Sequence, residues 1–475
     1  MSVELEELTQ LILKAVEKAR QETESDPEPE LTRPKEWPIA CTVGPGLEGA
    51  IACQSRVGYV NGSMGRLIYR GYDIFDLCPY STYEEVAFLL IHGKLPTPAQ
   101  LDTFCDILKK FRHIPNTLRM FMSFPVEKMD PMDSLRLGAN LMRREITKAP
   151  VGKTRSEGSR KIHSDEDSIP METKPMGEHR AIYEFPRERK VIERMSKKAN
   201  LDPAGMFAAY QLIAGLPTIT AAVARIRKGQ MPVEPDDSLG HAANYLYMMT
   251  GKKPTAVEER VMDVMLILHA DHCMNASTFA TMVVASTLSD LYLSVGAGIA
   301  ALNGPLHGGA NEEVLEMLKE IGRPEKVKGW FKKARAQKKK VMGFGHRVYK
   351  AYDPRARVLQ PLAERLVQDN RRSQRLYEVA IALEKEVIAD LGAKKGIYPN
   401  VDYYSGLVYD RLGVPSDFFT STFAVSRVAG WSARVLEYLE NNRIFRPRAL
   451  YIGPFGKVYV PLHERVHNRK KDDVV

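Results

Sequence analysis

A chain of 475 residues, 44% of them hydrophobic, carries enough apolar side chain for one large domain or two unequal ones. Its net charge of +9, from 68 Lys and Arg against 59 Asp and Glu, suits anionic ligands without demanding nucleic acid. Five scattered cysteines (Cys41, Cys53, Cys78, Cys105, Cys273) with no CxxC pair exclude a disulfide framework and a zinc knuckle, and fit a reducing, cytoplasmic setting. The opening MSVELEELTQ is acidic where a signal peptide needs a basic start, and no run of about eighteen uninterrupted apolar residues follows, so neither export nor a membrane span is expected.

Residues 1–24 read as an amphipathic helix, with Leu5, Leu8, Ile12, Ala15 and Ala19 at helical spacing. An acidic, Pro-rich linker occupies 25–37. In VGYVNGSMGRLIYRGYDI, β-branched and aromatic residues flank an Asn-Gly pair, which predicts a short hairpin. From Tyr83 onward the apolar period is helical almost everywhere, with segments closed by Gly or Pro, so the fold class is mainly α. Residues 145–198 are polar, mixed in charge and poor in aliphatics; they read as a solvated insertion. Helices resume at LDPAGMFAAYQLIAGLP, where Asp202 can cap and Pro203 fits the first turn. No fixed repeat emerges.

Chemistry concentrates in the second half. In VMLILHADHC, His269 and His272 lie three apart and would share a helix face, either as hydrogen-bonded core histidines or as metal ligands. In GPLHGGANEE, His307 sits among glycines just before a helix that begins near Asn311. The positive end of that helix would favour a neutral ring able to donate a hydrogen bond to an enolate oxygen, unless the glycines merely shape a turn. GFGHRVYKAYDPRAR combines His346 with Arg347, Lys350, Arg355 and Arg357, a set suited to carboxylates or phosphates. It lacks the GxxxxGK[ST] form, and a solvated basic turn is the alternative. Asp402, in YPNVDYYSG, is placed as a helix cap or as a working carboxylate. Arg427, Arg434, Arg446 and Arg448 could equally form an exposed basic face.

Taken together and in this order, HADH, GPLHGGANE, GFGHRVYKAYDPRA, NVDYYSG, SRVAGW and FRP resemble the citrate synthase family, over most of the chain from Val57 to Pro447. The resemblance implies a nearly all-α enzyme with a large domain (38–311), a smaller mobile domain (312–413) and a return to the large domain (414–475). It implies a homodimer with active sites completed across the interface, and no cofactor or metal. The reaction implied condenses acetyl-CoA with oxaloacetate and hydrolyses citryl-CoA, admitting carbon to the tricarboxylic acid cycle. Asp402 would be the general base, His307 the donor to the thioester oxygen and His346 the group polarising the ketone. His272, Arg355, Arg427 and Arg446 would hold the oxaloacetate carboxylates, with Arg446 coming from the partner subunit. The backbone of Gly343, Phe344 and Gly345 together with Lys350 would meet CoA. Closure of the small domain would exclude water. The acidic N-terminal helix stands where NADH-inhibited relatives carry a β-rich module, so NADH regulation is not expected. A 2-methylcitrate synthase using propionyl-CoA shares these motifs; a non-catalytic basic helical binding module and a metallohydrolase built on HADH are readings of other classes.

Overall fold

The computed structural model describes residues 3–22, 34–142, 191–195 and 203–465. The N-terminal helix runs Val3–Gln21 and buries Leu8, Ile12, Val16 and Ala19, a stripe at the i, i+4 spacing of one helix face. Val16, rather than Ala15, completes it. Ion pairs tie its end to two other helices: Arg20 to Asp76 at 2.6 Å on Ile74–Tyr80, and Glu22 to Arg357 on Pro354–Val367.

The expected hairpin forms between β1 (Gly58–Asn61) and β2 (Arg66–Tyr69), antiparallel with Asn61 opposite Arg66. Its turn spans four residues, not the Asn-Gly pair alone, because the Asn61 Oδ1 accepts from the backbone N–H of Ser63 and Met64 and closes the bend from one side. A third strand, β3 (Tyr72–Asp73), was not expected; left-handed Arg70 and Gly71 reverse the chain and lay it against β2. The hairpin turn packs tightly on a distant loop: a Cβ on Gly62 would stand 2.2 Å from the Val348 carbonyl oxygen, and the Lys350 N–H donates to Gly62 O.

The remainder is helical. Capping boxes at Thr97–Gln100 and Thr255–Glu258 start the helices Pro98–Phe111 and Ala256–His269, and left-handed Gly93, Gly251 and Gly322 end three others. Two largely buried helices form the centre, Pro203–Arg227 and Phe419–Leu439, the latter buried without a break from Ser421 to Leu436 although it carries Arg427 and Arg434. Residues 204–227 are long and apolar enough to cross a membrane by composition, but 94% of that apolar window is buried inside the protein, as in a core helix. Residues 143–190 and 196–202 lie outside the described residues, and with them most of the expected insertion and the Asp202 cap. Its end differs from a solvated segment: 191–195 are helical and Ile192 is buried in the core.

Candidate active site

The helix Ala256–His269 stops before the second histidine of HADH, so His269 and His272 do not share a helix face. His269 is fully buried with its Nδ1 at 2.7 Å from Met265 O, a core histidine. His272 lies in the irregular stretch that follows. Its Nε2 is 3.2 Å from the Tyr349 hydroxyl, and its ring meets that of His346 edge-on at 5.2 Å between centroids. Burial, then the charge of Arg355, holds His272 well below the ordinary histidine range.

His346 is a histidine with a defined tautomer. Its Nδ1 accepts the backbone N–H of Val348 at 3.0 Å and of Tyr349 at 3.1 Å, so the hydrogen-bond network assigns the proton to Nε2. Burial, then Arg355, draws its pKa down to about 4 and keeps the ring neutral. His307 is arranged in the opposite sense. Its Nε2 receives the Ser277 backbone N–H at 3.2 Å and lies 2.9 Å from Ser277 Oγ, which assigns the proton to Nδ1. Burial first and Arg427 second lower it to about 4. The N-terminus of Ala276–Ser286, capped by Asn275, therefore also acts on this ring, which lies three residues before the helix Ala310–Ile321.

Three arginines are buried here and only two carboxylates pair with them. Arg355 is held bidentately by Asp353, Nε to Oδ1 at 3.0 Å and Nη2 to Oδ2 at 2.7 Å. Arg434 is held in the same manner by Asp271 at 2.8 and 2.7 Å. Arg427 has no carboxylate: its Nε donates to His269 O at 2.6 Å, its guanidinium stands over the Phe423 ring at 4.6 Å, and its Nη2 has no partner among the described residues. At 1% exposure this cation is poorly compensated, and burial lowers its pKa to about 10. The exposed-face reading therefore fails for Arg427 and Arg434. Arg446 stands apart, exposed on the extended chain after Leu439 and without a hydrogen bond or ion pair to another described residue.

Asp402 is not the cap of its helix. Asn400 caps Val401–Arg411 by accepting the Asp402 N–H, which leaves the Asp402 carboxylate without a hydrogen bond among the described residues. Burial raises it to about 6 against the pull of Arg355 and Arg427. The same two guanidinium groups thus act on Asp402 and, between them, on His272, His307 and His346, which places all of these in one electrostatic field. Asp353 ties the parts together: its Oδ2 also accepts the Val401 N–H at 3.1 Å, joining the Arg355 helix to the Asp402 helix.

The Gly-Phe-Gly segment differs from the expected cradle. Gly345 N–H donates to Tyr398 O, Asn400 N–H to Gly343 O and Asn400 Nδ2 to Gly345 O, so much of this backbone straps the His346 loop to the Asp402 helix. Gly343 (φ +77°) is packed against Val314 and Tyr403, and Phe344 is buried on Tyr403, whereas Gly345 (φ +80°) faces open space. The Lys350 side chain is exposed, as is Lys340, whose charge bears on Asp402. A cavity of about 550 Å³ between Arg56, Arg70, His92 and Glu437 lies among other residues, and its buried cation is already paired, Arg70 to Glu437 at 2.9 Å.

The set can therefore bind a dicarboxylate, present two neutral imidazole N–H donors and offer one carboxylate poised to take a proton. Ser277, Tyr349 and Asp353 were not singled out from the sequence. Asp353-Pro354 and Asn275-Ala-Ser are legible as helix starts, but nothing local marks Tyr349.

Comparison with known proteins bears on this geometry. A family model described as "Citrate synthase, C-terminal domain" matches residues 46–448. The citrate synthase of a Synechocystis species is 43% identical over 422 residues, 89% of this chain and 94% of that protein. The citrate/2-methylcitrate synthase of Bacillus subtilis is 35% identical, over 86% of this chain and 96% of its own. Among solved structures, the ternary complex of carboxymethyl coenzyme A and oxaloacetate with the Thermoplasma acidophilum citrate synthase superposes with a TM-score of 0.74 at 33% identity, covering 90% of this chain and 100% of that one.

Proposed function

The chain belongs to the citrate synthase family, and from that premise we propose that it condenses acetyl-CoA with oxaloacetate and hydrolyses the citryl-CoA so formed to citrate and CoA. The observation that carries the reading is Asp402: a carboxylate with no hydrogen-bond partner among the described residues, raised by burial to about 6, in the field of the same guanidinium groups that add to burial in keeping three histidines neutral. In the first step the Asp402 carboxylate takes a proton from the acetyl methyl group. The C–H electron pair becomes the enol double bond, and His307 Nδ1–H donates to the thioester oxygen as charge collects there. The enol π pair then forms the new C–C bond to the oxaloacetate ketone carbon as the thioester C=O re-forms; the ketone π pair moves to its oxygen, which takes the proton of His346 Nε2–H. Arg427, with a guanidinium nitrogen to spare, and Arg355 hold carboxylates, and His272 completes that side. Water finally attacks the citryl thioester and releases CoA.

Lys350 and the open side of Gly345 are assigned to CoA, with Lys340 added because its charge reaches the site. The Thermoplasma complex supports both substrate classes. A homodimer belongs to the proposal. It is supported by Arg446, exposed and without a partner among the described residues, and by the neighbouring extended chain, where Leu450, Ile452, Phe455 and Val458 are each at least 85% exposed and would be covered by a second copy. The five unpaired cysteines support a reducing, cytoplasmic location, and the proposed product, citrate, makes the tricarboxylic acid cycle the setting.

The test is thiol release from acetyl-CoA by the purified protein, which should require oxaloacetate. Propionyl-CoA run beside it addresses the second reading, which the Bacillus relative's double name favours. One methylene is worth about 1 to 3 kcal/mol in an apolar pocket, so a tenfold or greater preference for propionyl-CoA would move the assignment to 2-methylcitrate.

A further inference from the structure

We infer that Tyr349 is a positioning residue that fixes the tautomers of both substrate-facing histidines, His272 through its hydroxyl and His346 through its backbone N–H. The inference rests on the proposed oxaloacetate site. Tyr349 is 1% exposed and lies among three of the residues assigned to that substrate. Its ring meets those of His272 and His346 at 5.4 and 4.8 Å between centroids, and the Arg355 guanidinium stands over it at 5.9 Å.

The direction of the hydroxyl bond follows from satisfaction of polar groups. Tyr349 Oη and His272 Nε2 are 3.2 Å apart, and neither has another hydrogen-bond partner among the described residues. Were the imidazole the donor, the buried hydroxyl proton would have no acceptor, a state that folded proteins avoid. The hydroxyl therefore donates to Nε2. The His272 proton then lies on Nδ1, which makes no hydrogen bond within the described protein and is free to donate to a carboxylate oxygen. The same residue's N–H, at 3.1 Å from His346 Nδ1, joins that of Val348 at 3.0 Å in holding the other imidazole with its proton on Nε2, toward the ketone. Tyr349 thus sets the sense of His272 and shares with Val348 in setting that of His346, where a wrong tautomer at either would set a lone pair against substrate oxygen.

The test uses Tyr349→Phe in the full chain, which keeps the ring, its stacking and the backbone N–H while removing only the hydroxyl. In protein labelled with 15N-histidine, the native His272 should show a bare Nε2 and a protonated Nδ1. The variant should show a mixture there, and His346 should be unchanged. In turnover, KM for oxaloacetate should rise about five- to tenfold, the effect of one hydrogen bond, with KM for acetyl-CoA and the melting temperature held. Tyr349→Leu, which also removes the face under Arg355, should raise KM for oxaloacetate further. A native His272 protonated on Nε2, or a Phe variant whose ring-nitrogen signals match the native protein, overturns the inference. An unaltered oxaloacetate KM in an active Phe variant does so too. Because the nitrogen signals do not depend on turnover, an inactive native protein would count against the proposed reaction while leaving this reading to its own result.

Discussion

At the scale of single residues, burial pushes the titratable groups of the site toward their neutral forms, leaving the histidines neutral and Asp402 a carboxylate that takes a proton readily. Asp402 is raised to about 6, whereas His307 and His346 are lowered to about 4, so the acid limb of kcat/KM for acetyl-CoA should belong to Asp402 and bend near pH 6. A limb bending near pH 4 would assign the base elsewhere. The same shifts act on stability with opposite signs. The Asp402 carboxyl binds its proton more tightly folded than unfolded, so its contribution is present at low pH and lost as pH rises through about 6. Replacing it with Asn should therefore raise stability at pH 8 by about 1 to 3 kcal/mol, a gain that shrinks below pH 6, as urea titrations at the two pH values would show. The histidines stabilise above pH 6.5 and lose that contribution as pH falls through about 4. Arg427 presents a similar conflict between fold and ligand. Arg427→Met should leave the melting temperature of the free protein unchanged or higher, while abolishing the rise that oxaloacetate gives the native protein, about 2.7 kcal/mol at a hundred times its Kd.

At the scale of elements, the strap between 343–345 and 398–400 is what ties the His346 loop to the Asp402 helix. Gly343→Ala would place a Cβ 2.7 Å from Val314 and 2.8 Å from Tyr403, and it forces an L-residue to φ +77°. Gly345→Ala meets the same backbone cost of about 1 to 2 kcal/mol with no collision. The first should lower both stability and kcat more than the second, and denaturation and steady-state rates of the two variants check this. Local signals made these elements legible: the stripe Leu8, Ile12, Ala19, the hairpin residues and the glycine stops all appear where the spacing put them. What failed were statements about neighbours. The capping role went to Asn400 because it precedes Asp402 by the two residues an Asx turn needs, and the Ser277 N–H that fixes the His307 ring comes from 30 residues earlier in the chain. The third strand depended on left-handed Arg70, a residue type that gives no such signal.

At the scale of the whole molecule, the residues in the six motifs were readable because each sits in a distinctive local string, but their supports were not. Tyr349 reaches His272 across 77 positions, and Asp353 reaches Val401 across 48, separations over which a single sequence carries no pairing information. The proposed homodimer makes its own prediction. If Arg446 serves the neighbouring subunit's site, Arg446→Gln and Asp402→Asn should each be inactive alone, yet co-expression should restore activity, since one site of the mixed dimer regains both native residues. Failure to restore activity in verified mixed dimers would place Arg446 outside the site. The central claim, that Asp402 is the base in a preformed oxaloacetate site, is tested most directly by Asp402→Asn examined for binding and turnover together. Calorimetry should give an oxaloacetate Kd within about threefold of native while oxaloacetate-dependent thiol release falls by about a hundredfold or more. Turnover near the native rate in that variant would contradict the account.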